Sequence, residues 1–238
     1  FGSLSNWSWH CKQLAQQFAV IGVDLRNHGS SPHDCILNYP VMAQDMLQLL
    51  EDLNIDSCYL LGHSMGGKVA MELALTAPAK VERLLVVDIA PVSYTTQSEG
   101  HMQVIAGMKA LDLDGLDSRA SAEAFLRHYI HDEPTRKFVL TNLINNPGGS
   151  YCWRLNLSAI ERHYDALRDM PDHVSVFQKP TLFVKGAESA YILSKHREQT
   201  LAYFPQSDVK IIMGAGHWLH AEKPQVFQKI AMDFLTAQ

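Results

Sequence analysis

The chain has 238 residues, 47% of them hydrophobic, which is enough to bury the core of one large domain or of a domain with a sizeable insertion. A net charge of −5 without a basic stripe argues against nucleic acid as a partner, and no apolar run approaches the roughly 20 residues of a membrane span. The four cysteines lack CxxC or metal-ligand spacing, so we expect reduced thiols in a cytoplasmic protein that uses no metal.

Helix and strand patterns alternate along the first 92 residues and return after residue 172. The helices expected in these two regions cover residues 6–18, 40–53, 68–75, 193–204 and 224–236. The strands expected there cover residues 19–25, 58–61, 83–89, 180–186 and 208–213. Short, almost continuously apolar runs are typical of parallel strands that are covered on both faces. We therefore expect an α/β fold with a mostly parallel sheet and helices on both sides.

The region between residues 93 and 172 has a different pattern, because its apolar spacing indicates helices and no strands. The helices expected there lie around 101–111, 121–131, 135–145 and 158–168. Ligands of such folds bind at the carboxyl ends of the strands. We therefore expect residues 1–92 and 173–238 to form the core, with 93–172 inserted over that edge as a helical lid.

A Gly-x-Ser-x-Gly motif, formed by Gly62, Ser64 and Gly66, lies between an expected strand and an expected helix. This context predicts a nucleophile elbow, in which a sharp turn presents the serine hydroxyl at the edge of the sheet and glycines keep side chains out of the turn. The helix start would place the backbone N–H of Met65 where an oxyanion forms. The alternative is a glycine-rich turn in which Ser64 only caps the helix.

A serine hydroxyl needs a neighbouring base, and the best candidate is His217. The glycines just before it, Gly214 and Gly216, follow the last expected strand and would return the imidazole to the sheet edge. His220 is the weaker alternative, because it is further from these glycines. We expect His63 to be a packing residue, since adjacent side chains in a sharp turn point apart.

These motifs resemble those of the α/β-hydrolases and, more narrowly, of the YbfF-like esterases. The resemblance covers almost the whole chain and is weakest in the expected lid. The segments that carry it are 24–31 (Asp-Leu-Arg-Asn-His-Gly-Ser-Ser), 62–67 (Gly-His-Ser-Met-Gly-Gly), 87–92 (Val-Asp-Ile-Ala-Pro-Val) and 214–224 (Gly-Ala-Gly-His-Trp-Leu-His-Ala-Glu-Lys-Pro).

The acid of the triad is the contested assignment. In most α/β-hydrolases it lies three residues after a glycine that ends the penultimate strand, and here that position is Ser189, after Gly186. The resemblance to YbfF-like esterases implies Asp88 instead, which would fix the tautomer of His217 and stabilise its charged form. Glu188 is the second choice. The alternative is that Asp88 only caps a turn at the end of its strand.

The resemblance also implies that the second oxyanion donor comes from a loop that continues into a Phe-Gly-Ser-Leu-like stretch. This chain begins with that stretch, so we expect a shortened version of a longer protein, with Phe1 beside the oxyanion hole. Tyr94 and Trp153 are weaker candidates for lining an acyl pocket. Scattered aromatic side chains such as these are more often part of an ordinary core.

We expect a serine hydrolase that cleaves carboxylic esters through an acyl-enzyme intermediate, without a cofactor. The resemblance implies short-chain acyl esters, and acyl-CoA thioesters as a further class of small-molecule substrate. Other chemistries share this fold, so a carbon–carbon hydrolase and a cofactor-free haloperoxidase are alternatives with the same triad. A non-catalytic binding protein is the alternative from another class.

Overall fold

The computed structural model describes residues 1–94, 98–170 and 175–237, which divide into two compact units. The first unit contains Phe1–Cys11, Val20–Leu37 and Tyr94–Arg168, and the second contains Lys12–Ala19, Asn38–Ser93 and Asp169–Gln238. Most of the expected lid therefore lies in the first unit, together with two segments from the beginning of the chain. The division of the chain into core and lid stays a prediction.

The helices and strands are numbered in chain order across both units. The α-helices are α1 Ser8–Leu14, α2 Tyr39–Asp52, α3 Met65–Thr76, α4 Ser98–Ala110, α5 Arg119–Leu126, α6 Glu133–Leu140, α7 Leu157–Arg162, α8 Tyr164–Arg168, α9 Arg197–Tyr203, α10 Leu219–Glu222 and α11 Pro224–Thr236. The strands are β1 Cys58–His63, β2 Val81–Val87, β3 Leu143–Asn145, β4 Tyr151–Trp153, β5 Thr181–Gly186 and β6 Ser207–Ile212. Short 3₁₀ helices cover Leu4–Trp7, Pro78–Lys80 and Ser194–His196.

The second unit is built on a parallel sheet with the strand order β1-β2-β5-β6. Its two inner strands, β2 and β5, carry runs of buried apolar side chains, as expected for strands covered on both faces. Helix α3 packs on β1 and β2. Because the strands are parallel, the loops after β1, β2, β5 and β6 all leave the same edge of the sheet, and this edge positions the candidate site.

The first unit contains helices α4–α8 and a small antiparallel hairpin of β3 and β4. The expectation of helices without strands between 93 and 172 was therefore wrong at this point. Residues 146–149 connect two strands rather than two helices. The turn is closed by a hydrogen bond from Asn146 N–H to Ser150 O, and Gly149 adopts a φ of 85°, which favours glycine.

The N-terminal expectations also need correction. The helix expected over 6–18 is shorter, since Leu4–Trp7 is a 3₁₀ helix and α1 ends at Leu14. Residues 19–25 have no hydrogen-bonded strand partner among the described residues, and Ile21 is 50% exposed. An apolar run alone does not make a strand, because the backbone also needs a neighbour to bond with.

The remaining helices and strands lie where the sequence pattern places them, but the helix expected over 121–131 ends at Leu126, the one over 135–145 ends at Leu140, and the one over 158–168 is divided into α7 and α8. Asn38 caps α2 through its side chain, which accepts from Val41 N–H, and Pro40 occupies the first turn. Among the residues that the structure describes, no helix has the length and apolar character needed to cross a membrane.

Candidate active site

Ser64 lies in the sharp turn between β1 and α3. Its φ of 53° and ψ of −120° are strained for a residue with a side chain, and its N–H donates to Val87 O at 2.9 Å. The Ser64 side chain makes no capping hydrogen bond to α3, which argues against the alternative of a helix cap. Strain of this kind at a single serine is typical of a nucleophile elbow.

Glycines permit the close approach of strand and helix in this turn. A Cβ at Gly62 would lie 2.2 Å from Gly66 O, and a Cβ at Gly67 would lie 2.7 Å from Ile89 Cγ2. A Cβ at Gly66 would meet nothing within 4 Å. The crowding that the motif predicts therefore acts on Gly62 and Gly67, and the expected role of Gly66 in it was wrong.

His217 reaches Ser64 from the loop after β6. Its Nε2 lies 3.1 Å from Ser64 Oγ, and its Nδ1 lies 2.8 Å from Asp88 Oδ2. A carboxylate only accepts hydrogen bonds, so Nδ1 carries the proton that it donates to Asp88. Nε2 is then the acceptor for the Ser64 hydroxyl proton. The three side chains have the connectivity and order of a Ser–His–Asp triad.

Asp88 is fully buried at the end of β2, with a φ of 51°. Its Oδ1 accepts a hydrogen bond from Gly186 N–H at 3.1 Å, and its Oδ2 accepts one from the hydroxyl of Ser189 in addition to His217. A buried carboxylate needs such donors, because burial without them is very costly. Ser189, at the position where most α/β-hydrolases have the acid, here donates a hydrogen bond to Asp88 instead.

Glu188 is not brought to the histidine. Its side chain is exposed, whereas its backbone N–H donates to Ala215 O at 3.0 Å. Of the two candidate acids, the structure places only Asp88 within hydrogen-bond distance of His217.

His63 supports the loop that carries His217. Its Nε2 lies 2.8 Å from His217 O, and because a carbonyl only accepts, Nε2–H is the donor. Burial, followed by the nearby imidazoles of His217 and His220, lowers the pKa of His63 well below its usual value. His63 is therefore neutral at ordinary pH. His220, the alternative base, is buried in α10 with its ring 4.5 Å from that of His63.

Two further residues contact His217 or its loop, and no sequence pattern indicates that either of them does so. The Tyr191 ring stacks on the imidazole at 4.2 Å between centroids, and burial together with the charge of Asp88 raises the Tyr191 pKa to about 12. Glu222 accepts hydrogen bonds from Gly216 N–H at 2.8 Å and from Trp218 N–H at 3.2 Å. Its carboxylate therefore holds the backbone on both sides of His217.

The remaining candidates differ in how the structure places them. Met65 is the first residue of α3, so its N–H belongs to the first-turn groups that have no acceptor within the helix. Phe1, Tyr94 and Trp153 belong to the other unit, and their roles stay predictions. There, Phe1 O accepts a hydrogen bond from Asn142 Nδ2 at 2.8 Å.

The described residues contain no cluster of three or more His, Cys, Asp or Glu side chains that could hold a metal ion. The chemical groups that the described residues bring to the candidate site are a hydroxyl, an imidazole, a carboxylate and backbone N–H donors. Such a set is suited to acyl transfer through a covalent serine intermediate.

The chain is similar to known alpha/beta hydrolases and esterases. A family described as an alpha/beta hydrolase family matches residues 2–229. The sn-1-specific diacylglycerol lipase ABHD11 of Xenopus tropicalis is 40% identical over 243 residues, which span all of this chain and 76% of the relative. Esterase YbfF of Escherichia coli is 34% identical over 236 residues, which span 99% of this chain and 90% of the relative.

A solved structure described as a marine microorganism esterase is also similar. It has a TM-score of 0.95 and 36% identity, over 98% of this chain and 91% of that chain.

Proposed function

Because the chain belongs to the alpha/beta hydrolase family, we propose that it hydrolyses carboxylic esters through an acyl-enzyme intermediate on Ser64. The observation that carries the proposal is the continuous hydrogen-bond chain from Ser64 Oγ through the His217 imidazole to Asp88. The names of the similar proteins, esterase and diacylglycerol lipase, support an ester as the substrate class. We place short-chain acyl esters first and acyl-CoA thioesters second.

In the acylation step, His217 Nε2 takes the hydroxyl proton as Ser64 Oγ attacks the acyl carbonyl carbon. Asp88 stabilises the imidazolium that forms and holds its Nδ1–H in place. The N–H of Met65 donates to the oxyanion, in line with the dipole of α3. The imidazolium then gives its proton to the leaving alcohol or thiol as the ester bond breaks.

Deacylation reverses these roles with water as the nucleophile. His217 takes a proton from the water as the water oxygen attacks the acyl carbon. Ser64 Oγ then leaves and receives this proton back from His217. The free carboxylic acid is released. One imidazole therefore acts as base and acid in turn.

We propose further that residues 93–172 form a lid that selects the acyl group. This role is supported by the sequence, in which the strand-and-helix pattern of the sheet stops before residue 93 and returns after residue 172. The aromatic residues Tyr94 and Trp153, as candidates for lining an acyl pocket, support it as well. Replacing either residue with alanine is expected to change the preference among acyl chain lengths. Unchanged preference in both variants would contradict the assignment of these two residues.

The test of the proposed function combines labelling with turnover. A fluorophosphonate probe is expected to label Ser64, located by peptide mass spectrometry, and Ser64→Ala is expected to abolish labelling and the hydrolysis of p-nitrophenyl butyrate. Ser158→Ala, at an exposed serine of α7, is the matched control and should keep both. Absence of labelling would overturn the assignment of Ser64 as the nucleophile. Labelling without hydrolysis of esters from C2 to C16, butyryl-CoA or a diacylglycerol would overturn the substrate class.

A further inference from the structure

Lys68 is a buried cation on the helix that carries the nucleophile. It lies one turn after Ser64 on α3, where its N–H donates to Ser64 O at 3.1 Å, and its residue is only 1% exposed. Lysine is almost never fully buried unless its ammonium group has partners. The proposed mechanism gives this side chain no role, so its position needs another explanation.

The Lys68 ammonium joins two distant parts of the chain. Its Nζ donates to Val92 O at 2.9 Å and to Asp169 O at 2.6 Å. Val92 follows the acid of the triad by four residues, and Asp169 comes directly after α8. Between them in sequence lies Tyr94–Arg168 of the first unit, so Lys68 bonds the second unit's backbone just before and just after this segment.

The same two ends are bonded to each other. The Ser93 hydroxyl donates to Asp169 Oδ1, and Tyr94 N–H donates to Arg168 O at 3.0 Å. We call residues 92–94 and 168–170 the junction. Lys68 bonds one residue on each side of this junction, Val92 and Asp169, to α3.

The environment of the ammonium group explains why a lysine is used. The buried carbonyl oxygen of Val92 and the partly buried one of Asp169 both accept from this side chain, and an ammonium group supplies three N–H donors on a flexible stem. The Tyr39 ring of α2 lies 5.5 Å from Nζ, and the Asp169 carboxylate compensates the charge. Burial nevertheless lowers the pKa of Lys68 to about 7.

We infer that Lys68 is a positioning residue that fixes the chain at Val92 and at Asp169, on either side of residues 94–168 in sequence, to the nucleophile helix, and thereby controls substrate access rather than the chemistry at Ser64. The inference about access rests on the proposed function. The fixing of the junction does not, and it is measurable without any substrate.

Hydrogen exchange of the backbone amides tests the fixing directly. In Lys68→Met, which keeps the length of the stem but removes the donors, we expect the amides of Val92, Tyr94 and Met170 to exchange about fivefold faster or more. Lys80→Met is the matched control, because Lys80 Nζ also donates to a carbonyl, Ile55 O at 3.3 Å, away from the junction in sequence. It should leave these amides unchanged.

Kinetics then separate access from chemistry. For p-nitrophenyl butyrate we expect KM to rise about fivefold in Lys68→Met with kcat within about twofold, and Lys68→Arg, which restores donors, to recover part of the change. Junction exchange equal to that of Lys80→Met, or exchange that rises equally throughout the protein, would overturn the inference. So would a fall in kcat without a change in KM.

A second variant covers the case in which Lys68→Met does not fold. Ser93→Ala removes the direct bond between the two sides at an exposed residue, and it should raise exchange at the junction alone. Unchanged hydrogen exchange at these residues would overturn the inference that the junction is fixed by these bonds. Inactivity of every variant and of the parent protein, combined with the expected exchange, would count against the proposed esterase and leave the fixing supported.

Discussion

Ser189 donates its hydroxyl proton to Asp88 Oδ2, the same carboxylate oxygen that accepts Nδ1–H of His217 at 2.8 Å. The two donors converge on one oxygen, while the other oxygen accepts Gly186 N–H. Ser189 Oγ also accepts a hydrogen bond from Tyr191 N–H at 3.3 Å. Ser189 thus links Asp88 to the loop after β5, and Asp88 holds the His217 imidazole from the neighbouring strand β2.

Replacing each of the two candidate acids with its amide should have very different effects on turnover. In Asp88→Asn the amide favours the wrong His217 tautomer and leaves the imidazolium without its counter-charge, so we expect kcat to fall about 10³- to 10⁴-fold. Glu188→Gln, at an exposed side chain, should change kcat by less than about twofold. Steady-state kinetics on p-nitrophenyl butyrate measure both. Near-normal turnover in Asp88→Asn would refute the proposed acid.

Removal of the Ser189 hydroxyl should reduce the contribution of Asp88 to catalysis without abolishing it. In Ser189→Ala a buried carboxylate oxygen loses one donor, and a hydrogen bond to a charged group contributes about 1.5–3 kcal/mol. If that loss is expressed in the transition state, kcat/KM should fall about 10- to 100-fold. Ser189→Thr keeps the hydroxyl and is the control. Equal losses in the alanine and threonine variants would indicate that packing at residue 189, not its donor, is important.

Much of the site could be predicted because its signals are local in sequence. The strand–turn–helix context of Ser64 and the glycines before His217 are sequence features with a direct steric meaning. The parallel sheet of the second unit follows from its apolar runs in the same way. Asp88 was found only through the resemblance, because an aspartate at the end of a strand has several ordinary uses.

The rest depends on contacts between distant parts of the chain. Tyr191 and Glu222 act on His217 through loops whose relative placement no local pattern encodes. Residues 19–25 have the apolar pattern of a strand, yet a strand exists only with a bonded neighbour. The β3–β4 hairpin is short, and its turn residues are equally typical of a break between helices.

The Glu222 carboxylate should contribute modestly to catalysis by holding the His217 loop. Its two oxygens accept from Gly216 N–H and Trp218 N–H, and Glu222→Gln converts one of these acceptors into a donor. Because the side chain is exposed, water replaces part of the lost interaction, and we expect kcat/KM to fall about three- to tenfold. Glu198→Gln, in the first turn of α9, is the control variant. Equal kinetics in both variants would exclude a role for Glu222.

The buried His28 should make the protein less stable in acid. Its Nδ1–H donates to Arg26 O at 3.0 Å, and burial lowers its pKa to about 3 from an ordinary value near 6.5. Between these two pH values the unfolded chain binds the proton and the folded chain does not. Stability therefore falls as the pH decreases from 6.5, by up to about 1.4 kcal/mol per pH unit for this one group.

The variant His28→Gln removes the titrating group, so its stability should decline less in acid than that of the parent protein. Urea unfolding at pH 7 and pH 5 should show the difference in unfolding free energy between parent and variant shrinking by about 2 kcal/mol, since the pH falls about 1.5 units below 6.5. His128→Gln, at an exposed histidine, should parallel the parent at both pH values. If the His28→Gln curve also runs parallel to the parent, His28 is not held neutral by burial, and the acid sensitivity comes from other groups.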